Sequence, residues 1–402
     1  MKKDLFLKKF SDKVKIVENM PHLSILILCN PCNGFGDIIF SFKLKKYLNQ
    51  WYPFATVKIA STTINSFLTI GEDISSLIEL KSISKELQCR RFANLSMNNV
   101  NDEEFNLIFV APIQQDFDVS YVDIKKLIPY SNQFNTYFFS EYNDVSYKEI
   151  DFHTGIGKGK YGLMFTKIPS NILNDKIFLK NNNLKKGKYA VCYIANTIVN
   201  MRVCYQSFFE MICKKYTPQS GTSKSKDKSF SIVIPPSLLE DIGESQSSLK
   251  KYYKYFSSIV LVKKDGEIVY EDLSPKNNNI LYIRADILPV KNAEMLTLMH
   301  NSVNDILLTG DQSITDGLSC CPKKNIWYQI APWKESFGRQ LAIHMPQKYY
   351  KKKKTSCGTI EGIGLKSDFR EFVKKYDFRK LARPKLNRII NMALEESKVY
   401  LF

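Results

Sequence analysis

The strongest constraint on this chain is a pattern that occurs twice: an apolar strand, a glycine-bearing turn, then an amphipathic helix. The first copy is Leu23-Ser-Ile-Leu-Ile-Leu-Cys29, then Asn33-Gly-Phe-Gly-Asp37, then a helix from Asp37 to about Trp51. Along that helix Ile38, Ile39, Phe42 and Leu44 form an apolar face between Lys43, Lys45 and Lys46. Strands at Ala55–Ala60 and Phe105–Ala111 follow. A polar break at Asn181–Lys188 precedes a restart at Tyr189–Ala195 and a helix over Val199–Tyr216. Further strands are expected at Phe230–Ile234, Ile259–Val262, Ile280–Ile283, Asp305–Thr309 and Ile326–Ile330, with a helix at Asn292–Ser302. Continuous apolar strands alternating with helices predict parallel sheets covered on both faces.

The expected fold is therefore α/β, with two doubly wound, Rossmann-like domains facing a cleft. Residues 1–187 and 188–345 form the two domains, and 346–402 a basic linker with helices packing back on them. In that tail Phe369, Phe372, Val373 and Tyr376 recur at i, i+3, i+4 and i+7, with Ser367 or Asp368 as N-cap. Leu386, Ile389, Ile390 and Ala393 repeat the spacing after Pro384. Gln219–Lys228 reads as a mobile surface insertion.

At 402 residues, 44% hydrophobic and 13% aromatic, the chain has material for packed cores, which excludes a disordered or collagen-like polymer. No run approaches the ~18 apolar residues of a membrane span, and the turn Asn30-Pro-Cys-Asn33 after the first strand is no cleavage site. A soluble, cytoplasmic protein is expected. Nine cysteines, an odd number scattered through predicted elements, point to reduced thiols.

In open α/β sheets, ligands bind beyond the carboxyl ends of the strands. Two turns there carry chemistry. Asn33, Gly34 and Gly36 would let backbone N–H groups approach a ligand, and Asp37 can cap the helix or accept a proton from a substrate hydroxyl. Taken alone, this turn reads as a tight connection with a capping Asp. The second turn, Thr309-Gly-Asp-Gln-Ser-Ile-Thr-Asp316, sets Gly310, Asp311, Gln312 and Ser313 at a helix N-terminus that favours phosphate, or where Asp311 or Ser313 serves only as a cap. Beyond it Tyr328, Gln329 and Trp333, in Trp327-Tyr-Gln-Ile-Ala-Pro-Trp333, offer rings and an amide for a base or sugar, or simply core packing.

The stretch from Leu288 to Leu341 resembles the donor-binding half of GT-B glycosyltransferases, in particular the bacterial protein-arginine rhamnosyltransferases. The turn Asn33-Gly-Phe-Gly-Asp37 also resembles that family's Asn-Tyr-Gly-Asp and the Gly-x-Gly-Asp turn of lipopolysaccharide heptosyltransferases. The resemblance implies a glycosyltransferase moving a sugar from a nucleotide-diphosphate donor to an unidentified acceptor. It makes Asp37 the base, with Asn33, Gly34 and Gly36 lining the acceptor cleft. Gly310, Asp311, Gln312, Ser313, Asp316, Tyr328, Gln329 and Trp333 would serve the donor, Asp311 on the ribose and Gln312 with Ser313 on the diphosphate. Gln312 stands where the family has a second acid. No Asp-x-Asp suited to a metal-dependent transferase is present, so neither metal nor cofactor is expected.

Other signals are blander. Cys29-Asn-Pro-Cys32 has C-x-x-C spacing, but Asn33–Asp37 separates it from the helix start that would activate a thiolate. His22, His153, His300 and His344 form no short-range ligand pair for zinc. Asp151-Phe-His-Thr-Gly-Ile-Gly-Lys-Gly-Lys160 lacks a P-loop ending and reads as a flexible basic surface loop. The formal charge is +18, and half of it lies between Met345 and Phe402, where 15 Lys+Arg face 6 Asp+Glu. Lys351–Lys354 and the C-terminal helices could therefore meet nucleic acid or another anionic partner; a lysine-biased proteome would give the same numbers. The competing functional class is a non-catalytic nucleic-acid-binding or assembly protein on a GT-B-like scaffold.

Overall fold

The computed structural model describes residues 23–32, 35–83, 91–97, 104–113, 119–144, 150–167, 175–194, 202–217, 229–244, 246–263, 265–266, 268–273, 279–331, 334–347, 350–363 and 369–399. The N-terminal half runs β1 (Leu23–Cys29), α1 (Gly36–Trp51), β2 (Ala55–Ser61), α2 (Ile64–Thr69), β3 (Leu77–Ser82), β4 (Leu95–Met97), β5 (Leu107–Ile113), α3 (Tyr121–Leu127), β6 (Thr136–Ser140) and α4 (Lys176–Asn181). The C-terminal half continues with β7 (Tyr189–Tyr193), α5 (Arg202–Tyr216), β8 (Phe230–Val233), α6 (Pro236–Glu244), a 3₁₀ segment (Gln246–Tyr252), β9 (Ser258–Val262), β10 (Ile268–Leu273), β11 (Ile280–Arg284), α7 (Asn292–Asn301), β12 (Asp305–Thr309), α8 (Asp311–Cys320), β13 (Asn325–Gln329) and α9 (Glu335–His344). A hairpin, β14 (Tyr350–Thr355) and β15 (Gly358–Ile363), and three helices, α10 (Arg370–Lys375), α11 (Phe378–Leu381) and α12 (Arg383–Val399), complete it.

Two sheets result, ordered β4-β3-β2-β1-β5-β6 and β10-β9-β11-β8-β7-β12-β13-β15-β14. In the first, all neighbours are parallel except β3 with β4. In the second, the six strands from β9 to β13 are parallel and the flanking strands antiparallel. β1 shows why its run is continuously apolar. Ile25 and Ile27 enter one core cluster while Leu26 and Leu28 enter another on the opposite face. The α/β class with two doubly wound sheets is thus the observed fold.

The chain order reverses beside β1, which lies between β2 and β5, and beside β7, which lies between β8 and β12. These are switch points, where the carboxyl ends of the strands open a crevice. The turn into α1 leaves β1 and the turn into α8 leaves β12, so both motif turns stand at such points.

The tail differs from expectation. Its lysine run forms edge strand β14, and β15 pairs with β13 to extend the second sheet. The helices then return to the N-terminal domain, where Phe378 stacks on Tyr47 and Trp51 and Leu163 bridges to Asp377. Helix α10 begins after Phe369 with no side-chain cap; Ser367 and Asp368 lie outside the described residues, as does all of Gln219–Lys228. The glycine-rich segment 151–160 is not a loose surface loop. Phe152, Thr154, Gly155 and Ile156 are buried, Phe152 stacks on Phe139 at 4.3 Å, and Gly155 bridges to Gly162. A further correction concerns the thiols. Cys29, Cys192, Cys204, Cys213, Cys320, Cys321 and Cys357 are free, but Cys32 is disulfide-bonded. Because Cys29 is free, the C-x-x-C pair does not close on itself. No helix among the described residues is long and apolar enough to cross a membrane.

Candidate functional site

Helix α1 starts at Gly36 and its N-cap, Phe35, makes no side-chain bond. Asp37 is therefore not the cap. Its carboxylate turns back and accepts a hydrogen bond from the Cys32 backbone N–H at 3.1 Å, and the residue is only 6% exposed. The Cys29 thiol below donates to the Asp37 carbonyl at 3.8 Å. A β-carbon on Gly36 would meet nothing within 4 Å, so that position opens onto space. Asn33, Gly34 and Trp333 lie outside the described residues.

At the second turn Gly310 has φ +90°, which only glycine adopts without strain, and Asp311 is the first residue of α8. Lys334, just before α9, holds Asp311 Oδ2 at 3.0 Å and Glu141 Oε2 at 2.6 Å. Glu141 directly follows β6, so this ammonium ties the two domains together. Asp311 Oδ1 is buried with no hydrogen-bond partner among the described residues. Burial pushes the Asp311 carboxyl up to about 6; Lys334 opposes that rise, and the charges of Glu141 and Asp37 add to it. Asp37 and Asp311, from turns on different sheets, thus feel one another.

The neighbouring groups are committed. Gln312 accepts from the Tyr142 hydroxyl at 3.4 Å, and that hydroxyl accepts from Met164 N–H at 2.7 Å. Ser313 donates to the carbonyls of Thr309 and Gly310 at 2.6 and 2.9 Å. Gln329 accepts from the Thr309 hydroxyl, and Trp327, in the core, donates to Asp305. The Tyr328 ring packs edge-on to Phe337, which meets Tyr142, itself against Phe40. Asp316 lies one turn deeper, in a buried ion pair with Lys43 of α1 at 2.6 Å, and also accepts from Thr166 at 2.6 Å. Lys43 in addition donates to the Met164 carbonyl at 3.0 Å.

The structure therefore gathers Asp37, Asp311 and Gln312 at one interdomain contact and sets Asp316 inside the joint beneath it. Glu141, Tyr142, Lys43 and Lys334 were not singled out from sequence. Lys334 abuts the aromatic run 327–333, and Glu141 ends the strand Thr136-Tyr-Phe-Phe-Ser140, whose aromatic composition was the available signal. Among the described residues no cluster of three or more His, Cys, Asp or Glu could hold a metal ion.

Fold and site define a two-domain α/β protein whose two Rossmann-like sheets present their motif turns to each other. No protein-family model matches the chain, and no curated protein matches it in sequence. Among solved structures, a family 9 glycosyl transferase from Veillonella parvula DSM 2008 aligns over 93% of this chain and 97% of its own, with 9% identity and a TM-score of 0.39. E. coli heptosyltransferase WaaC with ADP aligns over 71% of this chain and 80% of its own, with 10% identity and a TM-score of 0.34.

Proposed function

We propose that the protein is a glycosyltransferase of the GT-B type, acting on a nucleotide-diphosphate sugar and an acceptor hydroxyl or amide. One observation carries the reading: two buried carboxylates, Asp37 and Asp311, come from the switch-point turns of opposite domains, and Asp311 shares Lys334 with Glu141 of the facing domain. Asp37, fixed by Cys32 N–H, takes the acceptor proton as the acceptor atom bonds to the sugar's anomeric carbon. The bond from that carbon to the diphosphate oxygen breaks, and the nucleoside diphosphate leaves with the electron pair. Its growing charge falls to the N–H groups at the start of α8, which can serve without a metal, while Lys334 offsets the carboxylates of Asp311 and Glu141 beside it. Asp311 Oδ1 is an acceptor suited to a donor hydroxyl.

The test is a thermal-shift screen of nucleoside diphosphates followed by hydrolysis of the matching nucleotide sugars. Stabilisation by at least one diphosphate is expected, and Asp37→Ala should keep that stabilisation while abolishing sugar turnover. No response to any diphosphate, or unchanged turnover in Asp37→Ala, would overturn the assignment.

A further inference from the structure

The lysine run in β14 does not stand alone. Thr355 donates to the Ser207 hydroxyl of α5 at 2.9 Å, which turns the odd-numbered face of β14 toward that helix. Lys353 lies directly across from Ile360, which packs in the same core cluster as Phe208 and Phe209 of α5. Lys351 and Lys353 therefore share the α5 side of the sheet. Lys351 donates to Asn325 at 3.1 Å, Asn325 to Asp305 at 2.6 Å, and Lys215 at the end of α5 reaches the same Asp305 at 2.6 Å. Lys214 beside it is exposed. From the 3₁₀ side, Lys251 donates to the Cys357 sulfur at 3.0 Å. Burial pushes the Cys213 thiol of α5 up and the charges of Lys251 and Lys254 pull it partly back, which puts both beside the helix.

Six lysines, from β14, α5, the 3₁₀ segment and the turn after it, thus line one strip along α5. The two carboxylates within it are already engaged: Asp305 by Lys215, Tyr216, Asn325 and Trp327, and Glu210 by Ser356. Lys214 and Lys353 have no partner among the described residues. The strip lies on the face of the sheet away from α8, because Ile314 and Leu318 of α8 pack with Ile306 and Leu308, while Leu307 packs with α5. Protection of an edge strand accounts for lysines on β14, but not for those on α5 and the 3₁₀ segment.

We propose that this strip binds the phosphodiester backbone of a single-stranded nucleic acid. Alternate residues of β14 stand about 6.8 Å apart, which matches the spacing of successive phosphates along an extended single strand. All six cations are lysines, point charges with rotatable donors that can meet phosphate oxygens without fixing their orientation and so do not read base edges. Binding is then independent of base sequence and set by salt.

The test is fluorescence anisotropy of the full chain with labelled 20-nucleotide single strands of two unrelated sequences. With about four phosphates neutralised, affinity should fall about 50-fold between 50 and 200 mM salt, equally for both sequences. Lys214→Glu with Lys353→Glu, both exposed and unpaired, should weaken binding at least tenfold and flatten the salt slope by at least about 1.4 while the chain still unfolds in a cooperative transition. Lys176→Glu with Lys180→Glu, the same charge change on α4, should leave binding nearly intact. No binding at 50 mM salt, a salt-insensitive affinity, or equal losses from the two double variants would overturn the proposal. Tight binding to poly-glutamate or anionic vesicles without oligonucleotide binding would overturn it in favour of those partners.

Discussion

Asp311→Asn should make this protein more stable at neutral pH while removing its response to nucleotide. The carboxyl is buried, and its folded-state value of about 6 stands above the ordinary 3.8. A group raised in this way contributes stability below its unfolded value that is lost as pH climbs through the folded one. Between pH 3.8 and about 6, ionising Asp311 therefore costs on the order of 3 kcal/mol, the gap multiplied by 1.36 kcal/mol per pH unit. Lys334 softens that cost through its 3.0 Å contact but must also serve Glu141 at 2.6 Å. An amide removes the charge and keeps the shape. Urea denaturation at pH 7.5 should show a higher midpoint for Asp311→Asn than for the parent, and the difference should shrink as pH falls through 6 toward 5. A variant less stable than the parent at pH 7.5, or a difference that ignores pH, would refute the account of a carboxylate held ionised against its surroundings. Natural proteins tolerate such strain at sites where activity needs it.

Other outcomes follow from the joint between the domains. Lys43→Met strands Asp316 in the interface with the Thr166 hydroxyl as its one side-chain donor among the described residues, so thermal denaturation should show a loss of about 3–5 kcal/mol, much of it recovered in Lys43→Met with Asp316→Asn. Gly162→Ala should destabilise by at least about 2 kcal/mol, because φ is +83° and the new Cβ would lie 2.4 Å from the Tyr376 carbonyl. That carbonyl accepts from Leu163 N–H in the bridge to the tail, so limited proteolysis should release the C-terminal helices sooner.

Much of the fold was legible because burial on both faces demands uninterrupted apolar strands. Leu23–Cys29 and Asp305–Thr309 were read with their observed bounds for that reason. Strands that fail the demand were missed. β10 sits at an edge, and β14 is lysine four times over, a composition that carries no apolar pattern. The cysteine count argued for thiols and missed the bond at Cys32, since pairing is a matter of spatial approach. Asp37 was legible as an acid at a helix start, but its role as a cap was not realised; the carboxylate points back to Cys32.

What the sequence determined by itself is the repeated strand–turn–helix unit, and with it two parallel sheets whose loaded turns must lie at carboxyl ends. Period and apolarity are local properties, so a linear reading recovers them. Only the tertiary structure decided that Lys334 joins Asp311 to Glu141, that Asp316 is spent on Lys43, and that Lys351 of β14 and Lys215 of α5 are linked through Asn325 and Asp305. The ion pairs among these join residues from 23 to 273 positions apart, and a charge acquires its partner and its ionisation only where the chain has brought the two together.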